Sequence, residues 1–542
     1  MANQYGGAIR WDGANGRLTD SILSNNTAGA SGGGISFGSA FGTLTRCFLF
    51  SNSAGASGGG IEFWAPSGIV TGCSLFDNTA NNGGGVYFGG NAANAKLGNC
   101  SFKGNTVNGR GGAVYWAGTN SSISNCNFTD NHAVYGDNIC WYWTITNFLN
   151  EYHKINDYDY VFIRNGTGTP SKTIVLNKKG ITISSEGNVI FDAKAGNVHF
   201  EVTGDNVLIE KITFRNFNFT TDGGAIWWRG NYGTLKNCNF INNTVGHDGG
   251  AVHWRGVKGN LISCTFTMNT AHGGGGVFWQ GSDGTLTSSA FIKNNSTVDG
   301  GGVYWFGANG SLTYSTFTNN VATQNGAGAY WNTPAVNCHL SSSTFIGNIA
   351  TRNGGGIYWG GDNGSLNGCN FINNTAQIDH GGGVYWAGNN GSLIDSYFIN
   401  NTAGGIGGGV RWFGDNGTLS DSSFNSNSAS SGGGVYWGGG NNGSLNNSIF
   451  TNNTANREGG AINWYITGSM INCTFTNSKW ISSNSKNNGI YNRQNLTIIG
   501  GKGIVDLLTS NNSTLSGISI IVLNNETYYY PPNTNINFTK LI

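Results

Sequence analysis

A set of acidic and histidine side chains has the residue types that come closest to a catalytic site. Asp222, Asp248 and Asp299 stand at equivalent positions of a sequence repeat, and His272 lies beside the equivalent position between the last two. Hydrolysis of a glycosidic bond needs two carboxyl groups several ångströms apart, and a histidine can transfer the proton. If the protein is an enzyme, we expect Asp222, Asp248, Asp299 and His272 to be its catalytic residues.

The same positions have a simpler structural explanation. Asp and Asn favour turns that precede glycine, and other copies of the repeat carry Asn325, Asn353 or Glu458 in this place. None of the short motifs associated with pectin-degrading enzymes is present in the sequence. We therefore predict that the protein is not an enzyme, and a polysaccharide-degrading hydrolase or lyase is the alternative.

A row of aromatic residues is the candidate for ligand binding. One position of the repeat is aromatic or histidine in ten of fifteen copies, and it includes Tyr304, Tyr330, Tyr358, Tyr385 and Tyr436. Aromatic rings exposed in a row would present flat apolar faces with polar tips, which suit sugars. The alternative is a purely structural row, because cross-strand aromatic pairs stabilise a sheet by about 0.2–1 kcal/mol each.

No metal site or cofactor is predicted. The Gly-Gly turns are similar to those of calcium-binding nonapeptide repeats, but those recur every ~9 residues, whereas these recur about every 26. Isolated acids such as Asp157 and Asp159 are only chance candidates for Ca²⁺.

Two motifs alternate along the chain and predict the elements that carry these residues. The first is Gly-Gly-(Ala/Gly)-(Ile/Val)-x-(Trp/Phe), as at 354–359, and the second is (Cys/Ser)-x-(Phe/Leu)-x-x-Asn, as at 369–374. Each copy contains two or three short stretches of alternating apolar and polar residues, and no helical period appears within it. The period of about 26 residues indicates a stacked solenoid rather than a propeller blade. The predicted fold is all-β, a right-handed parallel β-helix.

Alternation within a strand places the aliphatic residue and the following Trp on one face. The residue between them varies from Arg10 and Glu62 to Tyr304, which predicts that this position faces solvent and that the Trp position faces the core. The Asn that ends the second motif is expected to bond to its equivalents above and below. Eight of the ten cysteines share one column with serine, and neighbours in a parallel ladder fit disulfide geometry poorly. We predict free thiols there.

The pattern predicts six segments. They are β-helix repeats at 1–143, an insertion or capping segment at 144–160, plainer rungs at 161–221, repeats at 222–478, terminal rungs at 479–527 and an exit linker at 528–542. The best helix candidate lies in the second segment, with Phe148, Leu149, Tyr152 and Ile155 at helical spacing.

The GGA(I/V) and FxxN motifs resemble polymorphic outer-membrane-protein repeats and the adhesin-like proteins of methanogenic archaea. The resemblance covers about 6–143 and 222–478. It implies an extracellular β-helix displayed at the cell surface, with adhesive or structural roles and further domains in a longer parent protein. Many Asn-x-Ser/Thr triplets, including Asn363 and Asn525, would make it a glycoprotein if they are occupied.

Composition excludes several kinds of partner. The net charge is +1 and no run of Lys or Arg occurs, which argues against nucleic acids and anionic membranes. No apolar stretch is long enough for a transmembrane helix. We predict a cell-surface adhesin-like repeat protein that binds surface glycans, or host or microbial cells, through an extended β-helix face. A structural spacer without a ligand is the other alternative to the enzyme.

Overall fold

The computed structural model describes residue 2, residues 4–480 and parts of the tail, namely 490–492, 496–499, 514–515, 519–523, 526–530 and 534–535. It divides into two compact units, of which the first is Met1–Asp192 with Glu201–Thr213 and the second is Ala193–Phe200 with Phe214–Ile542. The chain folds as an all-β parallel solenoid with rungs of about 26 residues, which confirms the predicted fold class. Its predicted handedness stays a prediction.

One rung of the second unit illustrates the repeat. Its four strands are Ile357–Trp359, Ser365–Asn367, Asn370–Ile372 and Thr375–Ala376. We name the four sheets built from such strands the tryptophan, leucine, phenylalanine and short sheets. Each strand pairs in parallel with its equivalent in the next rung, for example Trp359 with Trp386 and Phe371 with Phe398.

The tryptophan sheet carries the candidate sites in the second unit. Its strands are Ile226–Trp228, Val252–Trp254, Val277–Trp279, Val303–Trp305, Ala329–Trp331, Ile357–Trp359, Val384–Trp386, Val410–Trp412, Val435–Trp437, Ile462–Trp464 and Ile490–Asn492. In the first unit the equivalent sheet contains Ile9–Trp11, Ile35–Phe37, Ile61–Phe63, Val86–Phe88, Val114–Trp116, Ile139–Trp143, Tyr160–Gly168 and Thr182–Asp192.

The predicted helix is present in the first unit and is short. It spans Ile145–Glu151 and continues as a 3-10 turn over Tyr152–Lys154. Thr144 caps it, because its hydroxyl accepts from Asn147 N at 3.2 Å while the Asn147 amide oxygen accepts from Thr144 N at 3.2 Å. This reciprocal bonding satisfies two backbone donors that helix geometry leaves unpaired.

The core of the second unit contains the predicted tryptophan ladder. The rings from Trp228 to Trp437 are buried and stand in register. Neighbouring ring centroids lie 4.5–4.9 Å apart, except for 6.3 Å between Trp305 and Trp331. The inward orientation of the tryptophans is confirmed.

The glycine of the Asn-Gly turn follows from this ladder. A Cβ atom added at Gly364 would lie 2.2 Å from Nε1 of Trp359, and one added at Gly391 would lie 2.2 Å from Nε1 of Trp386. Only a residue without a side chain fits against the edge of the indole. The repeated Asn-Gly-(Ser/Thr)-Leu sequence is therefore a packing requirement of the core as well as a turn signal.

The asparagine that ends the second motif forms the predicted ladder. The Asn374 side-chain amide donates to Phe345 O at 2.9 Å and to the Asn401 amide oxygen at 3.0 Å. Its own oxygen accepts from N and Nδ2 of Asn348 at 3.1 and 2.9 Å. The buried amide is thus fully paired, as buried polar groups require.

The position between the aliphatic residue and the Trp lies outside the core, but it is not open to solvent as predicted. Glu62, Arg411 and Asn463 are at most 7% exposed, and the tyrosines of this column are half-buried except for the buried Tyr115. Mixed residue types were a poor indicator of solvent, because each of these side chains packs against its neighbours in adjacent rungs.

Parts of the tail continue the sheets. Leu496–Ile499 pairs in parallel with Gly468–Ile471 and with Ser519–Leu523. Glu526–Tyr530, which reaches into the predicted exit linker 528–542, runs antiparallel to Ser519–Leu523. Asn525 lies outside the described residues. Among the residues that are described, no helix is long and apolar enough to cross a membrane.

Candidate functional site

Four of the five tyrosines predicted to bind ligand are direct neighbours. Tyr304, Tyr330, Tyr358 and Tyr385 pair in register across four adjacent strands, and we call these four residues the tyrosine row. Tyr436 is separated from the row because Arg411 occupies the rung between Tyr385 and Tyr436.

The rings of the tyrosine row stack on one another. Successive centroids lie 4.8, 4.8 and 4.9 Å apart, and the angle between ring planes falls from 40° to 20° and 7° along the row. The ring faces therefore cover each other, so the expectation of flat faces open to a ligand was wrong. The row presents ring edges and hydroxyl groups instead.

Three of these hydroxyl groups have no partner in the described part of the protein. Tyr304 Oη accepts a hydrogen bond from Asn332 Nδ2 at 2.7 Å, whereas Tyr330, Tyr358 and Tyr385 form no such bond with any described residue. Burial raises the pKa of Tyr385 and raises the pKa of Tyr358 to about 12. At neutral pH these groups are protonated and can each donate and accept a hydrogen bond.

At two of the four rungs of the row, the residue that follows the Trp is too small to cover the tyrosine on that side. At the Tyr358 rung this residue is Gly360, where an added Cβ atom would lie 3.3 Å from Cε1 of Tyr358. A larger side chain would cover the ring edge. The next rung carries the small residue Ala387 at the equivalent position.

The other side of the row is formed by a hydrogen-bonded turn ladder. Asn325 Nδ2 donates to Asp299 Oδ1 at 2.9 Å, and Asn353 Nδ2 donates to Asn325 Oδ1 at 2.9 Å. His380 N continues the series by donating to Asn353 Oδ1 at 3.3 Å. The candidate catalytic residue Asp299 is thus part of a structural ladder, and burial raises the pKa of its carboxyl group.

The candidate catalytic residues Asp222 and Asp248 each lie beside a histidine, in adjacent rungs. Asp222 Oδ1 lies 3.6 Å from Nδ1 of His253, and Asp248 Oδ1 lies 3.9 Å from Nδ1 of His272. The nearby His253 ring lowers the pKa of Asp222, while burial raises the pKa of Asp248. The two carboxyl groups therefore differ in their readiness to ionise.

His253 was missed as a site residue by sequence reasoning, although it belongs to the same column as the tyrosines. Its ring is 5% exposed, and it pairs with Phe278 in the next strand at a ring-centroid distance of 4.8 Å. A histidine in a column otherwise rich in aromatic residues was the available signal. Arg411, in the same column, was also missed, although a charged residue among aromatic ones was a comparable signal.

The acids considered for Ca²⁺ are engaged within the first unit. Asp159 is buried and accepts from Trp141 Nε1 at 2.8 Å and from Asn156 N at 2.9 Å, and burial raises its pKa to about 7. Asp157 accepts from Lys179 N at 2.9 Å. Within the described residues, no group of three or more His, Cys, Asp or Glu side chains is arranged to hold a metal ion.

One family model matches parts of the chain. The repeat of the Chlamydia polymorphic membrane proteins matches residues 99–115, 342–358 and 447–463. No curated protein matches the chain significantly.

Several solved structures are similar. An alginate lyase, AlyF-OU02, has a TM-score of 0.40 and 12% identity over 73% of this chain and 90% of its own. A mannuronic acid specific lyase of polysaccharide family 6 from human gut microbiota has a TM-score of 0.41 and 11% identity, over 71% and 91%. PfbA, a surface adhesin of Streptococcus pneumoniae, has a TM-score of 0.30 and 10% identity, over 70% and 91%. These likenesses do not distinguish an enzyme from an adhesin.

Proposed function

We propose that the protein is an extracellular surface repeat protein that binds glycans, on host or microbial cells, through the tyrosine row. The observation that carries the proposal is the series of three hydroxyl groups, on Tyr330, Tyr358 and Tyr385, that no described residue engages. The match to a repeat of polymorphic membrane proteins fits a surface repeat protein.

The row offers a glycan regularly spaced hydrogen-bonding groups. Ring centroids recur every 4.8–4.9 Å, and each protonated hydroxyl both donates and accepts, as sugar hydroxyls do. Stacking already fixes the rings, so binding orders few additional side chains and loses little affinity to conformational entropy. Several weak contacts along one chain would then add up through multivalency.

The hydroxyl groups can be tested without disturbing the stack. In a triple variant, Tyr330→Phe, Tyr358→Phe and Tyr385→Phe, the rings remain and only groups without a protein partner are lost. We expect the free energy of unfolding to change by less than about 0.5 kcal/mol, while binding on a glycan array and to intact cells is largely lost.

A matched control uses exposed positions on the leucine sheet of the same rungs, Asn367→Ser with Ile394→Ser. It should bind like the wild type. Unchanged glycan binding by the triple variant would reject the row as the binding surface, and no binding by the wild-type protein would favour a structural spacer.

A polysaccharide-degrading enzyme is the second candidate, and one observation favours it. Asp222 and Asp248 occupy equivalent positions in adjacent rungs, and their pKa values are shifted in opposite directions, as in an acid and base pair. The test is the release of reducing ends from polysaccharides. Release by the wild type that Asp248→Asn abolishes would replace the binding proposal with the enzyme.

A further inference from the structure

We infer that Arg411 forms an anion-binding site next to the tyrosine row. This site would bind a carboxylate or sulfate group of the glycan. The inference deepens the proposed function and rests on it for the identity of the ligand. The geometry that carries it is a buried guanidinium group with no acidic partner and with one edge unused.

Arg411 replaces an aromatic residue in the column. It pairs with Tyr385 on one side and Tyr436 on the other, and it is 7% exposed. Burying a charged group is unfavourable unless another charge or a full set of hydrogen bonds compensates. The two neighbours, Tyr385 and Tyr436, fill the same position with an uncharged ring.

No carboxylate compensates this charge in the described part of the protein. Arg411 takes part in no ion pair there. The acid in the neighbouring rung, Asp379, is already paired with Arg352 Nε at 2.9 Å. The ionisable groups that interact with Arg411 are the phenols of Tyr385 and Tyr436 and the imidazole of His380, and burial raises the pKa of Tyr385, which keeps it neutral.

The hydrogen bonds of Arg411 are confined to one nitrogen atom. Nη1 donates to Trp412 O at 2.6 Å and to Gly438 O. Nε is buried without a partner, and Nη2 donates to no described residue. The edge formed by Nε and Nη2 matches the two oxygen atoms of a carboxylate or sulfate group, which arginine binds in a bidentate manner.

The side chains around the guanidinium group are consistent with entry of an anion. Its Cζ atom lies 4.6 Å from the ring centroid of Tyr436 and 5.4 Å from that of Phe413. The Phe413 side chain is exposed, so it can move away from the guanidinium group. Cation–π contact leaves the positive charge in place.

His380 adds a second donor near this point. Its Nδ1 accepts from Ile406 N at 3.3 Å, which places the ring proton on Nε2. Its ring centroid lies 6.3 Å from that of Tyr385. Burial and the charge of Arg411 lower the pKa of His380, so at neutral pH it is an uncharged donor that does not repel Arg411.

The test follows the Arg411 Nε–H signal by NMR of protein labelled with ¹⁵N-arginine, titrated with sulfate, glucuronate or glucose. Arg411→Tyr continues the column with the residue of neighbouring rungs and assigns the signal by its absence. Arg352→Gln removes an exposed charge close by and is the matched control.

We expect sulfate or glucuronate to shift the Arg411 signal in the wild type and in Arg352→Gln, and glucose to leave it unchanged. The affinity for the anion, measured by calorimetric titration because this variant lacks the Arg411 signal, should fall by about tenfold or more in Arg411→Tyr, with an unchanged melting temperature. Comparing the two anions shows which group is preferred. Equal affinity of Arg411→Tyr and wild type, or shifts confined to other arginines, would overturn the inference.

The two proposals fail separately. Binding of neutral oligosaccharides by the wild type, lost in the triple phenylalanine variant, together with no anion effect at Arg411, would reject only the anion site. An anion effect at Arg411 with unchanged glycan binding by the triple variant would reject only the role of the tyrosine row.

Discussion

The tryptophan ladder and the tyrosine row come from alternate residues of the same strands, and they differ in regularity. Between Trp359, Trp386 and Trp412 the ring planes deviate by only 3° and 4°, and all three rings are fully buried. In the tyrosine row the planes deviate by up to 40°, the rings are half-buried, and Arg411 interrupts the column.

The difference shows where the fold constrains residue type. An inward ring must fit against the rings of its neighbours and against a glycine such as Gly364, so aromatic residues predominate at this position. The outward position accepts tyrosine, histidine, arginine or glutamate because it lies outside the core. Residues that depart from the repeat pattern on the outer face are therefore the best candidates for functional residues.

Of the predicted losses of stability, the largest is expected from a substitution in the tryptophan ladder. Trp386→Ala should reduce the free energy of unfolding by about 3–5 kcal/mol, because it opens a cavity between two stacked indoles. Denaturant unfolding measures the loss. The matched variant is Tyr385→Ala on the outer face of the same strand, for which we expect a clearly smaller loss. Equal losses would contradict the distinction between the two faces.

A substitution in the asparagine ladder should cause an intermediate loss of stability. Asn374→Ala leaves Phe345 O and the donors of Asn348 without their partner, and a buried polar group left unpaired costs about 1–3 kcal/mol. The control is Asn367→Ala, an exposed asparagine of the same rung, which we expect to leave stability nearly unchanged. If Asn374→Ala were as stable as this control, the ladder would not contribute to stability.

Reduction of the protein should have the smallest effect on stability, because the column cysteines are expected to be free thiols. All ten cysteines are free thiols in the structure, and burial raises the pKa of Cys369 and Cys473 to about 12. We expect thiol titration of denatured, unreduced protein to find at least the eight column cysteines, and a reducing agent to leave the melting temperature unchanged. Mostly disulfide-bonded cysteine would refute the ladder.

Much of the fold could be predicted because the repeat carries it. The spacing of motifs such as 354–359 and 369–374 gave the register, and the Asn374 position gave the polar ladder. The site was harder to predict, because a column of residue types does not show how rings from successive rungs lie on one another. Face-to-face stacking of Tyr358 and Tyr385, and the burial of Arg411, depend on that packing.

The histidine that lies beside each aspartate could not be predicted for a similar reason. Asp222 lies close to His253, which is 31 residues away in sequence, while His272, the histidine expected among the catalytic residues, lies beside Asp248. Equivalent positions one rung apart meet through the stacking of the solenoid, and side-chain reach across rungs is not visible in the sequence.

The most direct test of the tyrosine row as a binding surface is a crystal structure of the protein with an oligosaccharide selected on the glycan array. We predict sugar oxygen atoms at hydrogen-bonding distance, about 2.5–3.0 Å, from the hydroxyl groups of Tyr330, Tyr358 and Tyr385. An oligosaccharide bound on another face, with these three hydroxyl groups still in contact with water, would contradict the proposal.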